Sequence, residues 1–108
     1  MISKFFTRSK NEKLEIDNSK LTLNELNKKL KEETNEVEAA IENKDRDNLL
    51  EELLDTIQVS ANMIEKIIFD DRELENKIKE HNEKLEGRGW DKSNEVILIT
   101  SKNRRKGI

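Results

Sequence analysis

Between about residues 19 and 86 the chain contains neither proline nor glycine, and its apolar residues recur at helical rather than strand spacing. Leu23, Leu26, Leu30, Val37, Ala40 and Ile41 mark the first such stretch. It opens on Thr22-Leu23-Asn24-Glu25, the S/T-x-x-E arrangement in which hydroxyl and carboxylate satisfy each other's backbone N–H groups. A helix is expected to start there, or a turn earlier at Asn18 or Ser19. The polar run Glu42-Asn43-Lys44-Asp45-Arg46-Asp47-Asn48 interrupts the pattern and supplies Asp and Asn for a turn and a second N-cap.

A second helix is expected from about Asp47 to Phe69. Its apolar residues (Leu49, Leu50, Leu53, Leu54, Ile57, Val59, Ala61, Met63, Ile64, Ile67 and Ile68) occupy more than half of the helical wheel. One covered face needs a stripe of only about 100°. Such a helix is expected to be covered twice, by its own chain and by another subunit. A third helix, near Asp71 to Glu86, has Leu74, Ile78 and Leu85 and meets Gly87, a suitable C′ residue.

Around this helical domain, placed at residues 18–90, lie a polar, aperiodic N-terminal arm (1–17) and a C-terminal tail (91–108). The tail holds a β-type run, Glu95-Val96-Ile97-Leu98-Ile99-Thr100, and a basic end, Lys102-Asn103-Arg104-Arg105-Lys106, for which disorder is expected. The opening residues lack the unbroken apolar stretch of a signal peptide, and Val96–Ile99 is far too short to span a bilayer. A cytoplasmic location without membrane association is the expectation.

Two pairs of carboxylates break the apolar pattern. The first helix has a stripe at 23, 26, 30, 33, 37 and 40 that is apolar at five positions and holds Glu33 at the sixth, with Glu36 at its edge. An ionised carboxylate facing a core is costly unless something compensates it. Glu52 and Asp55 repeat the spacing on the second helix, opposite the Leu50/Ile57/Ile64 seam and near Val59 and Met63. Residues three apart are neighbours on a helix, so antiparallel packing would make four carboxylates converge. A hard divalent cation neutralises such a cluster, and Mg²⁺ typically takes carboxylates, waters and substrate phosphates. The plainer alternative is that these pairs are solvated helix faces of a charged chain.

Composition narrows the chemistry. Of 108 residues, 42% are charged, 32% hydrophobic and 4% aromatic, which leaves a thin core that a second copy would complete. Lys plus Arg (21) nearly balances Asp plus Glu (24), for a net charge of -3, so no specific nucleic-acid partner is expected. With no cysteine and one histidine, thiol chemistry and His-rich metal sites are excluded.

The order E-E-x-x-E (Glu32, Glu33, Glu36), fourteen intervening residues, then E-E-x-x-D (Glu51, Glu52, Asp55) resembles the signature of the MazG-like, all-α nucleoside triphosphate pyrophosphohydrolases. Lys29-Leu30-Lys31 leads into the first motif, Val37-Glu38-Ala39-Ala40-Ile41 follows it, and Asn48-Leu49-Leu50 precedes the second. Asn82-Glu83-Lys84-Leu85-Glu86-Gly87-Arg88 is similar to the family's N-E-K-F/L-x-x-R segment, and the likeness spans about residues 23–90. The fold expected is all-α, a helical bundle of about three helices per chain, of four-helix-bundle type and completed by oligomerisation. The resemblance implies Mg²⁺, with Mn²⁺ as a substitute, held by Glu33, Glu36, Glu52 and Asp55. It implies that Glu32 and Glu51 support the ligands or pack the helices, and that a nucleoside triphosphate substrate is hydrolysed to monophosphate and pyrophosphate; the wide apolar second helix and the thin core add the expectation of a homodimer or homotetramer. Glu33 is the carboxylate chosen as general base, and the basic residues Lys84 and Arg88 would meet the phosphates.

Other residues admit two readings. Lys84 can instead pair with Glu80, one turn away. His81, between Ile78 and Leu85, is expected to be a partly buried structural residue, and Trp90 either an anchor or a base-stacking group. Asn62 lies two turns after Asp55 on nearly the same line, where it meets the nucleotide or a metal-bound water, or is simply a polar surface residue. The rival to the enzyme is a non-enzymatic helical interaction or oligomerisation module that uses the wide apolar helix as its binding surface.

Overall fold

The computed structural model describes residues 1–98, and most of them lie in three helices: α1 (Leu23–Glu42), α2 (Arg46–Ile67) and α3 (Asp71–Gly87). Local hydrogen bonds set the start of each helix and the ends of α1 and α3. Glu25 N donates to Thr22 Oγ1 at 3.1 Å and Thr22 N to Glu25 Oε1 at 3.3 Å, closing the capping box that starts α1. At its other end Lys44 N donates to Ile41 O and Asp45 N to Ala40 O, both at 3.1 Å, the paired bonds of a Schellman motif. Lys44 occupies the left-handed position, φ 54°, where glycine is the usual choice. Asp45 then caps α2, its Oδ1 accepting from Asn48 N at 3.1 Å. The chain thus reverses within Asn43–Asp45, and α1 and α2 pack as an antiparallel hairpin.

The fold divides into two compact units, Met1–Ile67 and Ile68–Ile108. In the first, Leu26 (1% exposed), Ala40 (2%) and Val59 (9%) are buried, and Leu26 is the one large side chain that is fully so among the described residues. Burial on that scale contributes about 1.5–3 kcal/mol for a leucine. Leu50 (61% exposed), Leu53, Leu54 and Ile57 lie outside this core, on the face of α2 that α1 does not cover. The segment before α1 is ordered further than the sequence suggests. Lys10–Asn11 pairs antiparallel with Ile16–Asp17, and a 3₁₀ turn at Asn18–Lys20 leads to the capping box. These strands of two residues leave the class all-α.

In the second unit, Asp70 Oδ1 accepts from Glu73 N at 2.9 Å and Glu73 Oε2 from Phe69 N at 2.7 Å, which fixes the start of α3. Its end corrects one expectation. Gly87 stays helical, and Gly89, at φ 88°, takes the C′ position, with Gly89 N bonded to Glu86 O at 3.0 Å and Trp90 N to Leu85 O at 3.1 Å. Leu74, Ile78 and Leu85 are half-buried. Their stripe is too thinly covered to bury His81, which is exposed rather than partly buried. Trp90 is 67% exposed and does not pack as an anchor.

Residues 95–98 form no strand, while Ile99, Thr100 and the basic run 102–106 lie outside the described residues. Among the described residues the chain forms three helices and not a four-helix bundle: three stretches have the apolar period of a helix, and α1 and α2 make the broad interhelical pairing within one unit. No helix among the described residues is long and apolar enough to cross a membrane.

Candidate metal centre

Because α1 and α2 reverse across three residues, Glu36 and Glu52 lie at equal distance along the chain from Lys44 and come level on the two helices. Glu33, Glu36 and Glu52 each present a carboxylate oxygen, and the three atoms lie within 4.8 Å of one another. Glu33 and Glu52 are half-buried and Glu36 is exposed, so the cluster sits at the rim of the α1–α2 seam. Asp55, half-buried one turn beyond Glu52, stands outside this set of three, yet its charge is felt by both Glu33 and Glu52.

The electrostatics record the crowding. Burial raises the Glu33 carboxyl above the ordinary range, and the charges of Glu36 and Asp55 add to it. Glu52 is pushed up to about 7. The first cause is a hydrogen bond with Glu36 that only a protonated carboxyl can donate, followed by burial and by the charges of Glu36, Asp55 and Glu33. Glu33 Oε2 and Glu52 Oε2 are buried and find no hydrogen-bond donor. Two orphaned acceptors amid like charges are what a hard cation with oxygen ligands satisfies, so the residues fit a Mg²⁺ or Mn²⁺ site.

The remaining residues singled out in the sequence are placed as follows. Glu32 and Glu51, which lead the two motifs, are exposed. Lys84 and Arg88 lie at the end of α3, in the second unit. Both are exposed, and Arg88 N is bonded to Lys84 O at 3.2 Å. Asn62 is half-buried; its Nδ2 donates to Arg8 O at 3.2 Å, while its Oδ1 is buried without a donor.

Sequence reasoning missed what Asn62 shares with its neighbour one turn back. Gln58 Nε2 donates to Phe6 O at 2.7 Å and Gln58 Oε1 accepts from Arg8 N at 3.3 Å, so an amide side chain reads the main chain of the N-terminal arm. The available signal was a polar line, Gln58, Asn62 and Glu65, at i, i+4 and i+7 in a mostly apolar helix. Comparison with protein-family models, with curated proteins and with solved structures finds no match for this chain.

Proposed function

We propose that the protein is a Mg²⁺-dependent, MazG-like nucleoside triphosphate pyrophosphohydrolase that cleaves (d)NTP to (d)NMP and pyrophosphate, acting in the sanitation or control of the cytoplasmic nucleotide pool. The observation that supports it is the meeting of Glu33, Glu36 and Glu52, from the two acidic motifs, within 4.8 Å, with Asp55 beside them and two buried oxygens unsatisfied. Glu33, Glu36, Glu52 and Asp55 would hold the metal, Mg²⁺ or Mn²⁺ in its place. Bound there, the cation supplies charge neutralisation to a triphosphate and acidity to the attacking water.

Glu33 takes the proton of that water at a carboxylate oxygen, a role suited to a half-buried group. The resemblance assigns phosphate oxygens to Lys84 and Arg88, and Asn62, whose Oδ1 is buried without a donor, stands on the same line of α2 as Asp55. The exposed leucines 50, 53 and 54 with Ile57 support a homodimer or homotetramer, in which a second copy covers that face of α2. The same exposed residues favour the second reading, a helical interaction module without catalysis.

Incubating the purified protein with a panel of NTPs and dNTPs, with Mg²⁺ or with EDTA, decides between the two readings. Monophosphate and pyrophosphate are expected with metal only, and they should be lost in Glu52→Gln. Intact nucleotides throughout, with no Mg²⁺ binding by calorimetry, would overturn the enzyme in favour of the module.

A further inference from the structure

The N-terminal arm runs in register along α2. Phe6 lies beside Gln58 and Arg8 beside Asn62, so two residues of the arm advance with four of the helix. An extended chain covers about 6.6 Å in two residues and a helix about 6 Å in four, so the steps nearly match and the arm lies parallel to α2. Thr7 Oγ1, donating to Glu65 Oε1 at 2.8 Å, adds a third side-chain tie between the arm and α2. Asn18 N to Ser9 O at 2.6 Å and Lys66 Nζ to Ser19 O at 3.3 Å hold the far end. Carried two residues back, the same step brings Lys4 level with Leu54 and Asp55.

Alternate residues of an extended segment share a face. Here one face bears Lys4, Phe6, Arg8 and Lys10, and the other holds the Thr7 that grips α2. The Arg8 guanidinium lies 5.6 Å from the centre of the Phe6 ring, as neighbours on one face should. Lys4, Phe6 and Arg8 are exposed, and neither Lys4 nor Arg8 joins an ion pair among the described residues. Asp55 and Asn62 lie on one line of α2, about 10 Å apart along its axis, so this basic face flanks the acidic cluster on the helix that supplies half of it.

Resting on the nucleotide reading above, we infer that the arm is the polyphosphate-binding wall of the site: Arg8, its guanidinium over the Phe6 ring, and Lys4 take phosphate oxygens while the carboxylates hold the metal. A triphosphate chelating a divalent cation keeps negative charge along its length, and a planar guanidinium binds two of its oxygens at once. The arm is docked through main-chain groups of residues 6 and 8, so its outward side chains can be exchanged without undocking it.

The test uses the full chain and inorganic tripolyphosphate, titrated by calorimetry with Mg²⁺ and with EDTA. Arg8→Ala should weaken Mg²⁺-dependent binding about tenfold, as expected for one lost charge-assisted contact, with helix content unchanged and partial rescue in Arg8→Lys. Gln58→Ala, which removes two of the bonds that dock the arm while keeping its charges, should weaken binding as well. Metal-dependent binding that is equal in wild type and all three variants overturns the arm's role and leaves the nucleotide reading standing. Binding that needs Arg8 but is indifferent to Mg²⁺ and to Glu52→Gln keeps the arm as an anion site and removes the metal-dependent enzyme. No binding by wild type overturns both.

Discussion

Replacing Glu33 with glutamine should stabilise the metal-free protein and weaken its response to metal. The substitution removes one negative charge from three carboxylates whose oxygens lie within 4.8 Å. At that separation a like-charge pair costs about 1 kcal/mol at the dielectric of water, the proper value for a group at the rim of the seam. The amide also relieves the burial of charge that raises the Glu33 carboxyl and can donate to a neighbouring carboxylate. A gain of about 1 kcal/mol corresponds to roughly 4–8 °C in Tm for a domain of this size. Mg²⁺ reverses the order. At a hundredfold excess over Kd it adds about 2.7 kcal/mol to the wild type, and less to a variant that has lost a ligand. Thermal melts followed by circular dichroism, in EDTA and in saturating Mg²⁺, read both effects. A variant that melts below wild type in EDTA and responds identically to Mg²⁺ would refute the reasoning.

Three further outcomes are expected. Leu26→Ala should cost about 2–5 kcal/mol, as much as a core of so few buried side chains can supply, and abolish a cooperative urea transition. Lys44→Gly should raise the urea midpoint by the equivalent of about 1 kcal/mol, because it removes a side chain from a left-handed backbone position without touching the Schellman bonds. Glu33 and Glu52 hold protons more tightly folded than unfolded, so the metal-free protein should lose stability as pH rises from the ordinary carboxylate range through about 7. Melts across that window check the slope, and saturating Mg²⁺ should flatten it.

How much of this was legible in the sequence depended on whether the cause was local. The Thr22–Glu25 box and the acidic pairs could be read because side-chain type and spacing alone produce them. The wheel of α2, too wide for one partner, pointed to two apolar faces but not to which of them α1 covers: Val59 is buried, while Leu50, on the expected seam, is exposed. Lys44 gave no signal, because its left-handed conformation is imposed by the two helices it joins rather than by its own preference. The choice between Gly87 and Gly89 turned on which carbonyls the helix end could reach. The docking of the arm was hidden for a different reason. Gln58 and Asn62 bind peptide groups, which every residue possesses, so nothing in residues 6–8 announces the contact.

The short reversal at Asn43–Asp45 also bears on how the molecule comes together in time. Glu36 and Glu52 are joined by a short stretch of chain, and most of it becomes helix, so little loop entropy opposes their meeting. Local helical hairpins of this kind are among the quicker structures to form. A cation bound across the two helices of the hairpin would therefore act on an early folding event. Its signature would be a faster refolding limb, with the unfolding rate left nearly untouched.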